Sequence, residues 1–304
     1  MVTTKVIKID AAIIGSPKCG STSLYEFFSG QVCIKAIAEA KDFPVFSRPS
    51  SIEHRLKKLA KFGYSAEPEV LQCIGDVNIC FKKEFLENLK FHAHKVKVIL
   101  LIRAPLQRMR SSHRFNTERL IEERSFSTAL NDEVKGNFSD YSTKDFLQKS
   151  YIQHTEYKKM VENCRDIFGE ENLLVLDFDD LIRSFPLAMC QLEEFLQVKF
   201  NAGSLLPKAN VTSGEMRYKL ISKILFQGER TSGFWTLLRL IFTQKFRSKI
   251  RFLLRDLNRT KPKNVVHSNN DLELMSPETL KELKRLENEY SSLKKRYSLS
   301  ARGI

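Results

Sequence analysis

The stretch Lys5-Val6-Ile7-Lys8-Ile9-Asp10-Ala11-Ala12-Ile13-Ile14-Gly15-Ser16-Pro17-Lys18-Cys19-Gly20-Ser21-Thr22 decides the fold. Lys5 to Gly15 is mostly apolar and reads as a buried strand, the turn Ser16 to Gly20 breaks it, and Ser21 to Ser29 then has helical spacing. Working outward, the same grammar recurs. Val96 to Ile102 is a second apolar strand; it follows a helix-like Lys82 to His94, ends at Arg103, and gives way to a helix opened by Pro105. A third strand, Leu173 to Leu176, follows a predicted helix Tyr151 to Phe168 and the turn Gly169 to Asn172. Strands alternating with helices imply parallel pairing through right-handed crossovers, with ligands at the carboxyl ends of the strands. The expected class is α/β: a P-loop, three-layer α/β/α fold around a central parallel sheet, with a helical C-terminal extension.

After about Asn201 the strand signals stop. Residues 1–200 read as the core, and 201–304 as a basic helical part of the same domain, with a polar break from Asn258 to Asn270 before a last helix, Pro277 to Tyr297. The chain has 304 residues and 42% hydrophobic content, enough for a substantial core and unlike a disordered sequence. Its formal charge of +14 favours anionic ligands or surfaces. Between Glu215 and Lys263, 13 Lys and Arg stand against 3 Asp and Glu, so a net +10 of that excess is concentrated there. The six cysteines show no CxxC pair and no His-Cys cluster, so neither a zinc site nor a disulfide framework is expected, and a reducing cytosol fits. No run of about 18 apolar residues suggests a membrane span, and Val6 to Ile14, interrupted by Lys8 and Asp10, is not a signal sequence.

The loop Gly15-Ser16-Pro17-Lys18-Cys19-Gly20-Ser21-Thr22 has the glycine spacing of a nucleotide P-loop, but its lysine lies inside the loop and position 21 is Ser. Such a loop still cradles an anion, because the N–H groups that open the following helix and the Ser21 and Thr22 hydroxyls converge. A kinase or ATPase would also want a metal-binding acid at a strand end. Here the strand Val96 to Ile102 ends in Arg103 instead, and Ser111 follows eight residues later. A guanidinium fork with a helix hydroxyl suggests a second phosphate site. Two anion sites imply a ligand with two separated anionic groups.

These segments, Gly15 to Leu24 and Val98 to Ser111, resemble the two signatures by which sulfotransferases bind 3′-phosphoadenosine 5′-phosphosulfate (PAPS). The sequence is closest in flavour to bacterial and heparan-sulfate-type carbohydrate members. Lys41-Asp42-Phe43 is similar to a Lys-Glu element near the acceptor, Gly75-Asp76 to a following Gly-Glu, and Ser150-Tyr151 and Asn172 to Leu181 to later family stretches. The resemblance covers roughly residues 9–200. It implies that Ser16, Pro17, Lys18, Cys19, Gly20, Ser21, Thr22 and Ser23 hold the 5′-phosphosulfate and that Arg103 and Ser111 hold the 3′-phosphate. It adds Tyr151, Lys208 and Arg217, with Asn210, as further cofactor contacts. Lys18 would be catalytic, neutralising charge on the bridging oxygen in a loose transition state that needs no metal. Asp42 would be the general base, one methylene shorter than the family's Glu, with Asp76 and His113 as alternatives.

The acceptor implied is a saccharide, a glycolipid or a hydroxylated small molecule. Golgi members usually carry a membrane anchor, and the lack of an apolar run points instead to a cytoplasmic protein. The amphipathic basic stretch Trp235 to Asn258 reads as a helix packed on the core or, alternatively, as one lying on the inner face of a membrane. No nucleic-acid signature is present. Two other classes fit parts of the pattern: a P-loop nucleotide kinase, and a basic membrane- or polyanion-binding protein without catalysis.

Overall fold

The computed structural model describes residues 8–36, 41–48, 51–60, 69–137, 143–207 and 270–297. They fall into two compact units, one formed within Met1–Arg108, Ile152–Asn210 and Glu282–Ile304, the other within Met109–Tyr151 and Val211–Lys281.

The first unit is built on five parallel strands: β1 (Ala11–Gly15), β2 (Ile34–Ala36), β3 (Leu71–Gly75), β4 (Lys97–Ile102) and β5 (Leu173–Asp177). Their order is β2-β3-β1-β4-β5. From β1 the chain goes one way, to β2 and β3, and then crosses to the other side for β4 and β5. The switch therefore lies at β1, where a ligand crevice opens in such sheets. β1 and the interiors of β4 and β5 are apolar on both faces because both are covered, whereas the edge strand β2 exposes Lys35. One face sets Ala11, Ile13, Ile99, Leu101, Leu174 and Leu176 in a core with Leu24, Phe27, Phe28, Phe185 and Leu192. Those partners come from α1 (Ser21–Ser29) and, later in the chain, α9 (Phe185–Leu196). The alternate residues Ala12, Ile14, Val98, Leu100 and Val175 are equally buried. They point to the opposite face, where α7 (Tyr157–Phe168) packs on β4, β5 and α3 (Lys83–His92).

The remaining helices of this unit are α2 (Ile52–Ala60), the first turn of α4 (Pro105–Glu118), α8 (Phe178–Arg183) and most of α11 (Pro277–Tyr297). Asp177 starts α8 as an N-cap, its side chain accepting from the N–H groups of Asp179 and Asp180. The observed sheet is the α/β fold expected, with two strands, Ile34–Ala36 and Leu71–Gly75, that the sequence reading did not find.

One predicted element is corrected. Tyr151 to Phe168 is not a single helix: a short 3₁₀ turn, Gln153–Thr155, precedes α7, which begins only at Tyr157. Hydrogen bonds from residues distant in the chain hold this turn. The His154 carbonyl accepts from the Ser16 hydroxyl at 2.7 Å, and the buried Arg108 guanidinium donates to the Thr155 hydroxyl at 2.7 Å. Glu156, at ψ 56°, leaves the helical region just before α7.

The second unit comprises the later turns of α4, α5 (Phe126–Val134), α6 (Thr143–Lys149), the short α10 (Asn270–Glu273) and the start of α11. A polar network organises it. Glu122 is buried at 2% exposure, accepts from Arg124 at Oε1 and Oε2, and accepts the Tyr151 hydroxyl at 3.0 Å. Tyr151 in turn accepts from Asn116 at 3.1 Å and gives its backbone N–H to Glu133 at 2.6 Å. Asn131 accepts from the Ser276 N–H at 2.9 Å, tying the start of α11 to α5.

Candidate active site

The site begins where β1 ends. The Ser16 N–H donates to the Leu101 carbonyl at 2.7 Å, holding the loop against β4, and the Ser16 hydroxyl is taken by His154. Gly15 is required by contact: a Cβ there would lie 2.1 Å from Cys80 Sγ. Lys18 has φ 71°, in the left-handed region that non-glycine residues seldom adopt. Gly20, at φ 88°, caps α1 without a side chain to accept its first N–H groups. Ser21, Thr22 and Ser23 occupy that first turn. Loop and helix together present the donor geometry that favours an anion.

Arg103 stands at the end of β4. Its Nη1 donates to the Lys18 carbonyl at 3.2 Å, and its guanidinium lies 4.3 Å from the centroid of the Phe178 ring. Its Nε is buried and makes no hydrogen bond among the described residues. A cation fixed by a carbonyl and an aromatic face, with a buried donor unused, fits an anionic ligand group. Tyr157 links the two halves: its hydroxyl accepts the Arg103 N–H at 3.3 Å and sits 3.7 Å from Cys19 Sγ. Burial pushes the Cys19 thiol up to about 11, so it serves here as packing and not as a thiolate. Tyr157 and Phe178 were not anticipated. Tyr157 stands in no recognised motif and Phe178 lies in the family-like stretch Asn172 to Leu181, but only the fold brings them to Arg103.

On the other side of β1 the Asp42 N–H donates to the Gly75 carbonyl at 2.6 Å, fixing Asp42 at the end of β3 in the left-handed region, φ 57°. Its carboxylate is exposed and pairs with Lys41 at 2.6 Å. Asp76 is the opposite case, only 2% exposed. Its carboxylate accepts the Ser47 hydroxyl and, at 3.1 Å, the Asn78 N–H. Desolvation pushes Asp76 up to about 6 in spite of those donors, with the Asp42 charge adding to the rise. The buried Arg55 on α2 donates to the carbonyls of Val45 and Arg48 at 2.9 and 2.6 Å, so the loop 41–48 is pinned from both ends.

Lys18, Arg103, Asp42 and Asp76 thus belong to one unit, at the carboxyl ends of β1, β3 and β4. Ser111 and His113 lie on α4 and Tyr151 just after α6, all in the second unit. Tyr151 is fully buried with its hydroxyl held by Glu122 and Asn116, and His113 donates through Nε2 to the Arg124 carbonyl at 2.9 Å. Lys208, Asn210, Arg217 and the stretch Trp235 to Asn258 lie outside the described residues. Among the described residues no helix is long and apolar enough to cross a membrane.

A parallel sheet with a glycine-bearing loop and a helix N-terminus at its switch point, beside a strand-end arginine, is the fold of a P-loop-type protein. The model of the sulfotransferase domain matches residues 8–223, and the chain belongs to that family, the PAPS-dependent sulfotransferases. Among solved structures it is similar to a sulfotransferase from Alicyclobacillus acidocaldarius, at 20% identity and a TM-score of 0.54, over 75% of this chain and 99% of that one. It is also similar to mouse sulfotransferase SULT7A1, solved in complex with PAP, at 17% identity and a TM-score of 0.48, over 97% and 86% of the two chains. No curated protein matches the chain. Membership sets aside the kinase and the non-catalytic readings.

Proposed function

We propose that this enzyme transfers the sulfuryl group of PAPS to a hydroxyl or amine of a saccharide or glycolipid acceptor. The observation that carries the cofactor assignment is the bond from Arg103 Nη1 to the Lys18 carbonyl, which ties the two anion motifs together at the sheet's switch point. Residues 16–23 and the α1 N-terminus would hold the 5′-phosphosulfate. Arg103, together with Ser111 of the sequence motif, would take the 3′-phosphate, and Lys208 and Arg217 would add contacts from the later chain. When bound, PAPS supplies an activated sulfuryl group on a stable nucleotide leaving group. Lys18 then stabilises charge as it develops on the bridging oxygen, a fixed-charge effect that needs no reorganisation at the moment of transfer.

Asp42 is proposed as the base. It stands at the rim of the same sheet edge, exposed, in a loop pinned by Arg55 and Ser47, and it is oriented by Lys41. Asp76, sealed behind it, supports that loop. The saccharide acceptor rests on the similarity of Lys41-Asp42-Phe43 to the heparan-type element, and a cytoplasmic site with peripheral membrane contact rests on the basic stretch alone.

The test is isothermal titration with adenosine 3′,5′-bisphosphate in EDTA, run on the wild type, Lys18→Ala and Arg103→Ala. The expected result is metal-independent binding that both substitutions weaken, Arg103→Ala by about 2 kcal/mol, as befits a lost charge-assisted contact. Equal binding by all three proteins would overturn the site assignment.

A further inference from the structure

The surroundings of Arg103 lead repeatedly to α11, a helix that follows in the sequence long after the last strand. Phe178, under the guanidinium, opens α8, and α8 hangs on the Asp177 cap. That carboxylate also accepts the Tyr290 hydroxyl at 2.6 Å and Lys294 Nζ at 2.8 Å. Three residues beyond Arg103, the Leu106 N–H in the first turn of α4 donates to Glu287 Oε1 at 3.1 Å. Tyr157, which accepts the Arg103 N–H, opens α7 directly after Glu156, and Glu156 accepts from Arg285 Nη2 at 2.6 Å. So all three helices that begin around Arg103 have a terminal group bonded to α11. Glu287, Tyr290 and Lys294 are spaced i, i+3, i+7 and share one stripe of the helix. Tyr290 is buried, and the Asp177 side chain is 3% exposed. The Tyr290–Asp177 bond is thus desolvated and stronger than a surface one.

We infer that α11 sets the position of Arg103, with Glu287 and Tyr290 as positioning residues that determine how well the enzyme selects a nucleotide bearing a 3′-phosphate. The inference rests on the reading above that Arg103 takes that group. Helix termini held at one geometry keep the guanidinium where a phosphate meets it; released, the arginine samples other rotamers and the contact weakens. None of the α11 residues is assigned a contact with the nucleotide, so the 5′-phosphate half of the ligand should not sense their loss.

The experiment compares the affinities of the full chain for adenosine 3′,5′-bisphosphate and adenosine 5′-phosphate in the wild type, Tyr290→Phe, Glu287→Ala, Glu287→Gln and Arg103→Ala. Tyr290→Phe keeps the ring and removes the donor to Asp177, so it spares the packing if Glu287→Ala fails to fold. The expected result for Tyr290→Phe and Glu287→Ala is a loss of about tenfold in preference for the bisphosphate, the weight of about one hydrogen bond, with monophosphate affinity unchanged. Glu287→Gln, whose amide oxygen still accepts from Leu106, restores the preference. The direction is diagnostic: if Glu287 acted only through its charge, both substitutions at that position would tighten the bisphosphate. Tighter binding by both, parallel loss of both ligands, or unchanged preference in Tyr290→Phe would overturn the inference. A wild type without preference, unaffected by Arg103→Ala, would instead remove the 3′-phosphate reading on which it stands.

Discussion

Replacing Asp76 by Asn should reshape the pH dependence of stability. Asp76 is buried at the end of β3, and desolvation lifts its carboxyl from an ordinary 3.8 to about 6. The folded chain therefore holds this proton more tightly than the unfolded chain does. Below about pH 4 both states are protonated and the group costs nothing. Between 4 and 6 only the unfolded chain ionises, and above 6 the folded chain carries a buried carboxylate with its full penalty. At about 1.4 kcal/mol per tenfold in proton affinity, the gap amounts to about 3 kcal/mol, so this residue's contribution weakens the fold as pH rises from 4 to 7. Asn retains an oxygen for the Asn78 N–H and an amide that can donate to Ser47, and it does not ionise. Urea unfolding of wild type and Asp76→Asn across pH 4 to 7.5 isolates the effect, since all other titrating groups cancel in the difference. The variant should gain on the wild type by about 3 kcal/mol between pH 4 and pH 7. A difference that stays constant with pH would refute the burial argument.

Two further substitutions probe packing. Gly15→Ala forces a Cβ to within 2.1 Å of Cys80 Sγ, and overpacking of that kind should destabilise by about 2 kcal/mol and weaken bisphosphate binding; Cys80→Ala in the same chain should recover much of the loss in thermal melts. In the second unit, Glu122→Ala takes the buried acceptor from the Tyr151 hydroxyl and one of two carboxylates from Arg124, which keeps Asp132, and should cost about 2 kcal/mol in urea unfolding, whereas Glu122→Gln, which keeps an acceptor for Tyr151, should cost less.

The sequence was most legible where one residue type has one physical use. A buried parallel strand must be apolar on both faces, and β1 and the interior of β4 show it; a tight turn from strand to helix needs glycines, and Gly15 and Gly20 supply them. Arg103 is conspicuous in the sequence as a charge that ends five consecutive apolar residues, Val98 to Ile102. Legibility failed where the cause is distant in the chain. The strand Ile34–Ala36 has three residues and no pattern of its own, and it exists because β3 offers it a ladder. Tyr151 to Phe168 has helical periodicity, yet Ser16, 138 residues before His154, and Arg108 draw its first residues into a different turn.

The same distinction separates the two carboxylates at the sheet edge. In sequence, Asp42 and Asp76 are each an acid beside a turn, and resemblance alone ranks Asp42 first. The fold divides them by solvent: Asp42 is exposed and charge-paired, while Asp76 is sealed and proton-retaining. A base must meet an acceptor that arrives from outside, and a carboxylate whose oxygens already receive Ser47 and Asn78 has little left to offer it. The proposed division of labour, with Asp42 as the base and Asp76 fixing the loop that carries it, predicts opposite signatures. Asp42→Asn should abolish turnover while leaving stability and bisphosphate affinity unchanged. Asp76→Asn should change the pH profile of stability and retain turnover. Loss of turnover in Asp76→Asn at full nucleotide affinity, with Asp42→Asn active, would reverse the two roles.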